Sequence, residues 1–360
     1  MGSGHAAAGA GSYKMAEYKV RKSDDAAEGA VVHPFPVPPL SDARPLDLSV
    51  IVVTWNSERW IDRCLQSLPA ACEGLTYEIL VYDNASSDAT VSHVGESAIV
   101  MRSQTNEGFG AATNRAFSAS RGRYVFLLNP DCELDPGALT KLCRFLDENA
   151  IAAAVAPLLA DEAGDSQREF QLRRLPTLRA FAAEALLIDK LLPSNRVTAR
   201  HRYRDLDLTK PQHVEQPAAA ALLIRREVFE EIGQFDEQFW PAWFEDVDYC
   251  RRLAEAGRDI FIVPEANARH FGGASLEYMP YGDFIDTWYR NMWRYARKWF
   301  SPGRAEALRW AIIVGMLLRV VAAMAGLRNG TSSRREALAA YSRVLKKALN
   351  RWDGSSPSSS

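Results

Sequence analysis

Polar residues able to do chemistry stand in short clusters, each just after an apolar run. Asn129-Pro-Asp131 follows the run 125–128. A carboxylate there can hold a divalent cation against a diphosphate, because Mg2+ takes one or two protein carboxylates plus substrate phosphates. The plain alternative is a turn. Trp243-Phe-Glu245-Asp246-Val-Asp248 sets three carboxylates in four residues beside aromatic surface. Desolvation and a like-charged neighbour raise a carboxyl pKa, which suits a general base. For Asp248 the helix dipole is reason enough. His270 precedes two glycines that allow close ligand approach, so it reads as a ligand candidate. Asp83 ends another apolar run and can accept hydrogen bonds from a nucleobase or a ribose, or simply cap a turn. Asn106-Glu-Gly108-Phe-Gly110 opens a helical pattern whose N-terminus favours phosphate. It is neither G-x-G-x-x-G nor a P-loop, so dinucleotide and NTPase readings are rejected.

These clusters need elements that bring them together. Apolar, β-branched runs predict strands at 48–54, 77–82, 98–102 and 124–128, with helical spacing between them, first at 57–68. Alternation of strands and helices implies a parallel sheet covered on both faces. Ligands then bind beyond the carboxyl ends of the strands. Thr54 and Asn56, Asp83 and Asn84, Asn129 and Asp131 all fall there, converging on one crevice. A second block, 151–273, holds an apolar stretch at 218–224, helices at 226–232 and 247–256, and a short strand at 260–263.

The 360 residues are 47% hydrophobic and 24% charged, ordinary globular values that exclude a solvated disordered chain. Net charge is −2, which gives no call for nucleic acid. Residues 287–350 nevertheless carry thirteen bases and two acids, a local +11. That asymmetry points to a polyanion or an anionic membrane surface. Five cysteines without C-x-x-C spacing read as buried thiols in a reducing compartment. Residues 1–12 have no apolar h-region and are not a secretory signal. Residues 33–39 suit an extended polyproline-like linker, and 354–360 a flexible tail.

Six ordered segments, VIVVTWNS (50–57), VYDNASSDAT (81–90), NEGFGAATN (106–114), LLNPDCEL (127–134), FDEQFWPAWFEDVDYCRR (235–252) and HFGGAS (270–275), resemble the family 2 glycosyltransferases of GT-A fold, in particular their bacterial rhamnosyltransferase branch. The resemblance implies an α/β class: a Rossmann-like, mainly parallel sheet with helices on both faces, plus a C-terminal helical membrane-associating region. The divisions expected are a Pro-rich segment (1–46), a catalytic domain (47–279, split at 150 into nucleotide-binding and acceptor halves), a basic helical region (280–350) and a tail (351–360). Thr54, Asn56, Asp83, Asn84, Asn106, Gly108, Asn114 and Asn129 would bind the nucleotide-sugar. Asp131, with His270, would hold Mg2+ or Mn2+; Asn129 departs from the commonest Asp-x-Asp form. Asp246, paired with Glu245, would be the base of an inverting displacement. The donor expected is dTDP-L-rhamnose, with UDP-hexoses next. A sugar nucleotidyltransferase would need a Gly-rich triphosphate loop that 50–57 lacks. A non-catalytic scaffold would have lost Asp131 or Asp246.

In the basic region Phe284, Trp288, Met292, Tyr295 and Trp299 make one helical stripe, and Arg290, Arg294 and Arg297 another. With Trp243, these arginines are expected to meet the acceptor, a polyprenyl-diphosphate-linked sugar. The run 310–327 is nearly span-length but carries Arg319 at its centre, which favours the membrane interface over a span. The alternative, a packed helical subdomain, explains the aromatics but not the charge. The protein is thus expected in the cytoplasm, peripherally bound to the inner leaflet, with homo-oligomerisation left open.

Overall fold

The computed structural model describes residues 46–272, 279–326 and 333–352. The expected linker (33–39), the end of the HFGGAS segment and the tail (354–360) lie outside the described residues. Strands β1 (Leu48–Thr54), β2 (Tyr77–Asp83), β3 (Ile99–Arg102), β4 (Tyr124–Leu128), β5 (Cys132–Leu134) and β6 (Ala152–Ala160) alternate with helices α1 (Ile61–Ala71), α2 (Phe109–Ala119) and α3 (Ala138–Glu148). Then come α4 (Arg168–Gln171), β7 (Leu172–Arg173), α5 (Leu178–Ala185), α6 (Ile188–Leu191), α7 (Arg196–His201), β8 (Gln212–Val214), β9 (Gln216–Pro217), β10 (Ala221–Arg225), α8 (Arg226–Ile232), α9 (Glu245–Glu255) and β11 (Asp259–His270). Three long helices close the chain: α10 (Tyr281–Trp299), α11 (Pro302–Met324) and α12 (Arg334–Leu349).

The main sheet runs β3-β2-β1-β4-β10-β6-β11-β5, with β8 also on β11. β1 to β4 are mutually parallel, and β1 is buried along almost its whole length, as a strand covered on both faces must be. β10 runs antiparallel to both β4 and β6. The sheet is therefore mixed, within the mainly parallel GT-A arrangement expected. A separate β7–β9 pair sets Arg173 opposite Gln216. Helix α1 starts at Ile61 and not at 57, because the amide of Ser57 is held by the Thr90 hydroxyl and Asn56 is left-handed at φ 51°. The strand expected at 260–263 extends to His270 through two register shifts, which carries the histidine to the sheet's ligand-facing end.

The basic aromatic region is no appendage. The described residues form one compact unit. A third core joins Met292, Tyr295, Leu308, Met316 and Tyr341 to Phe181, Phe239 and Phe244 of the sheet domain. The aromatic stripe packs inward: Trp288 lies 5.1 Å from Phe244, and Tyr295 lies 5.8 Å from Phe181, ring centre to ring centre. This corrects its expected role as a membrane contact, since Met292 and Tyr295 are buried and the half-buried Phe284, Trp288 and Trp299 pack against protein.

Asp248 ties this region to the sheet domain. Fully buried on α9, it accepts hydrogen bonds from Arg252 (3.0 Å) and the Trp299 indole (2.8 Å), and pairs with Lys298 (2.8 Å). Removing one partner of a buried charge network strands the others. Asp248→Ala should destabilise the fold by about 3 kcal/mol in urea unfolding; a loss under about 1 kcal/mol would mean that solvent replaces these contacts.

Candidate active site

The crevice floor lies at the ends of β1 and β2. The buried Asp83 carboxylate accepts from the Thr54 hydroxyl (3.2 Å) and the Ser86 amide (3.2 Å), and meets Arg102 Nε at 3.2 Å. An ionised carboxylate has about four lone-pair sites, so a nucleobase or ribose donor can still be received. Arg102 is a site residue that sequence reasoning passed over; only its place at the end of β3 signals it.

Several expected nucleotide contacts serve the chain instead. The Asn84 side chain accepts the Glu107 amide (2.7 Å) and donates to Asn106 Oδ1 (2.9 Å), which also accepts from Gly108 N (3.0 Å). Asn56 Oδ1 accepts from Ser87 N (2.8 Å). These asparagines knit the crevice wall. Asn114 is corrected outright: it is buried, donates to Phe235 O and Glu237 Oε1, and accepts from Phe235 N. Gly108 is corrected too. A Cβ there would lie 2.8 Å from Pro241 O, and the α2 N-terminal amide of Phe109 already donates to that oxygen at 2.7 Å. The close neighbour that demands glycine is the chain's own Trp240–Pro241 segment, not a phosphate. Asn129 sits half-exposed at the rim, its backbone held by Ala220 O.

Beyond β4, Asp131 and His270 converge, Oδ1 to Nε2 at 3.6 Å, both buried. Gln167 fixes the imidazole: its Oε1 lies 2.8 Å from Nδ1 while its Nε2 donates to the His270 carbonyl. Phe170 stacks on the ring at 4.7 Å. Burial holds the His270 pKa down, against the pull of Asp131. A neutral imidazole with Nδ1–H given to Gln167 presents Nε2 as a lone-pair donor. This carboxylate and imidazole fit a small divalent cation. Cys132, also nearby, keeps its proton, its pKa pushed up by burial, and turns its thiol to Ala220 O. Gln167 was missed in the sequence because it belongs to no motif and meets the histidine across 103 residues.

Glu245 and Asp246 open α9, and their environments differ. Glu245 is buried, and its Oε2 has no hydrogen-bond partner among the described residues. Desolvation, then the charge of Asp246, raises its pKa far above the carboxylate range. Asp246 keeps part of its surface in the crevice. Its Oδ2 takes two long hydrogen bonds, from Gln216 Nε2 and Ala219 N, each 3.4 Å. Desolvation raises its pKa, while the amides of Val247 and Ala219 and the Arg173 guanidinium pull it back. Arg173, opposite Gln216 on β7, shares that face of the strand pair and feels both Asp246 and Glu184. Gln216 and Arg173 too were invisible as sequence features.

The turn before the pair is strained and clamped. Trp243 and Phe244 are both left-handed, at φ 68° and 78°. Asn291 of α10 donates to the carbonyls of Ala242 (2.9 Å) and Trp243 (3.2 Å). Arg290 donates to Trp240 O at 2.6 Å, and Arg294 donates to Gln238 O. These contacts correct the expected diphosphate seat: Arg290 and Arg294 are half-buried cations holding a loop, and only Arg297 of the three is exposed. Trp243, expected at the acceptor, packs edge-on against Phe284 at 5.0 Å.

The metal reading predicts direct binding. Titration with Mn2+ in the presence of a nucleoside diphosphate should show one site. Asp131→Ala should abolish it, and Gln167→Ala, which frees the His270 ring, should weaken it by roughly tenfold. Unchanged binding in Asp131→Ala would place the cation elsewhere.

Comparison with known proteins agrees with this geometry. The profile described as "Glycosyl transferase family 2" matches residues 49–233. The chain is 27% identical over 296 residues to the N-acetylglucosaminyl-diphospho-decaprenol L-rhamnosyltransferase of Mycobacterium tuberculosis H37Rv, an alignment covering 76% of this chain and 94% of that protein. It is 26% identical to the rhamnosyltransferase WbbL of Escherichia coli K12, over 62% of this chain and 82% of that one. Among solved structures, GalNAc-T7 with UDP, GalNAc and Mn2+ aligns over 86% of this chain and 57% of its own, at 16% identity and a TM-score of 0.49. The match to the family over more than half of the chain, on the segment that carries Thr54, Asp83 and Asp131, makes this protein a member of glycosyl transferase family 2, and so a glycosyltransferase.

Proposed function

We propose that the enzyme transfers L-rhamnose, with inversion, from dTDP-L-rhamnose to a sugar carried on a polyprenyl diphosphate, at the cytoplasmic face of a membrane during cell-envelope glycan assembly. Two observations support the substrates: a relative aligned over nearly its whole length bears the name of a rhamnosyltransferase for N-acetylglucosaminyl-diphospho-decaprenol, and a second bears the name of a rhamnosyltransferase. The observation that carries the mechanism is the asymmetry of the carboxylate pair, one open to the crevice and one buried.

A nucleoside diphosphate leaves with its bonding electrons as the acceptor hydroxyl attacks the opposite face of the anomeric carbon. That hydroxyl must lose its proton, and Asp246 is the accessible carboxylate to receive it. Two adjacent carboxyls share their charge unequally. Glu245, enclosed, stays protonated and leaves the negative charge to Asp246. The two long hydrogen bonds orient Asp246 without saturating it. Asp131 and His270 would hold a divalent cation, Mg2+ or Mn2+, that neutralises the leaving diphosphate. Thr54, Asp83 and Arg102 face the nucleoside. With Asp246 acting as base on the acceptor hydroxyl and not as nucleophile on the sugar, a single displacement and inversion follow.

A panel of nucleotide sugars tests the donor: nucleoside diphosphate release, stimulated by a polyprenyl-diphospho-N-acetylglucosamine acceptor, is expected with dTDP-L-rhamnose. Consumption of a UDP-sugar alone would overturn the donor assignment. Asp246→Asn should retain nucleotide binding and lose at least about 10²-fold in kcat. In the wild type, kcat should rise with pH through a limb above the ordinary Asp range, because the raised pKa keeps Asp246 protonated below it. Arg173→Met removes a charge that favours the carboxylate, so the limb should move to higher pH. An unmoved limb would separate Arg173 from the base.

A further inference from the structure

The helical region buries its aromatics yet leaves one face bare. On α11 the exposed large apolar side chains are Trp310, Val314, Leu317, Leu318, Val321 and Met324. At about 100° per residue they fall within an arc of roughly 120°. The opposite face, with Leu308, Ile312 and Met316, is buried in the third core. A second exposed apolar group, Ile188, Leu191 and Leu192, lies on and just after α6. Both helices meet the end of α5. A Cβ on Gly315 would come within 2.0 Å of the carbonyl oxygen of Ala185, the last residue of α5. Arg319 donates to that same oxygen (2.5 Å) and to Glu184 O (3.3 Å). The middle of α11 is thus pressed onto the end of α5, from which α6 follows directly.

The exposed charges around this surface are basic, while Asp189, next to Lys190 on α6, is buried and paired with Arg202 at 3.5 Å. Lys190 stands between Ile188 and Leu191. Arg304 is exposed on the first turn of α11, and Arg334 reaches Met324 O at its far end. The acid of α11, Glu306, is taken by Arg309 and Arg351. An apolar stripe with a cationic rim matches the headgroup–acyl boundary of an anionic bilayer. A second copy of this chain would instead bring the same cations against each other. Spanning is excluded by the packing: the inner face of α11 holds the buried Arg309 and the backbone-bound Arg319, which a span would strip of partners in hydrocarbon.

We infer that the outer face of α11, continued by α6, docks the enzyme flat on an anionic membrane, with α11 lying in the plane of the interface. This surface differs from the stripe and arginines of α10 first expected to meet the membrane, which the protein itself covers. Its use rests on the lipid-linked acceptor proposed above. The turn before Asp246 is held by α10, and Glu184 of α5, beside the docking face, accepts from Trp288 of α10 at 2.6 Å on that turn's aromatic support. Docking would therefore fix the base relative to the headgroups where an acceptor diphosphate lies.

The test is flotation of the full chain with phosphatidylcholine vesicles, with and without phosphatidylglycerol, at low and high salt. The wild type should bind the anionic vesicles better, and salt should weaken the binding without removing it, since the apolar contribution is unscreened. Val314→Glu with Leu318→Glu, and separately Leu191→Glu with Leu192→Glu, should each lower vesicle affinity by more than ~10-fold. Ile151→Glu, at an exposed residue in the turn before β6, should not. Circular dichroism and turnover with a short-chain, water-soluble acceptor should be unchanged in all three, so that failure of docking and failure of the transfer reaction read out separately. Equal flotation of wild type and the paired variants, no flotation at all, or a wild-type dimer that the paired variants turn into a monomer without vesicle binding would each overturn the inference.

Discussion

The clamp of α10 on residues 238–244 is the contact on which the active site depends. Two consecutive non-glycine residues in the left-handed region, Trp243 and Phe244, cost about 1–3 kcal/mol each. They persist because Asn291, fully buried, answers two carbonyls of the same turn while Arg290 and Arg294 answer two more. The strain swings the chain so that Glu245 and Asp246 open α9 from inside the crevice. At its other end the same loop lays Pro241 over Gly108 and caps α2. One loop thus joins the nucleotide half to the helical region, and the C-terminal helices are a working part of the catalytic unit.

The electrostatic plan follows from that geometry. The crevice collects carboxylates that ordinary solvation would leave ionised together. Enclosing Glu245 neutralises it, and the charge settles on Asp246, near Arg173. On the other wall burial holds the His270 pKa down, against the pull of Asp131. Three differently tuned groups arise from burial first, then from neighbouring charges and amides, with no exotic residue type.

Much of this was legible in the sequence. Continuous apolar runs of β-branched residues located β1, β2 and β4 to within a residue, and parallel strand ends located Thr54, Asp83 and Asp131 in one crevice. Strand direction was not legible: β10 is an apolar run like the others, and nothing in its composition says that it runs backwards. Nor does residue type reveal whether a polar side chain awaits a ligand or holds its own backbone. Asn114, Arg290 and Arg294 looked like binding residues and serve loops over 100 or 50 positions away in the chain. The aromatic stripe of α10 is amphipathic by period, and period alone does not distinguish a lipid partner from a protein one. The charge of that region pointed to a membrane, but the exposed apolar face that we propose to meet one lies on α11 and not α10, and it appears only once the inner face of α11 is seen to be buried.

The most direct test of the account is the stereochemistry of transfer. As base on the acceptor hydroxyl, the role proposed for it, Asp246 supports one displacement at the anomeric carbon. Nuclear magnetic resonance of the newly formed glycosidic bond should therefore show the anomeric configuration opposite to that of the donor. A product that retains the donor configuration would require a glycosyl-enzyme, with Asp246 or another group as its nucleophile, and would contradict the assignment of Asp246 as the base of a single displacement.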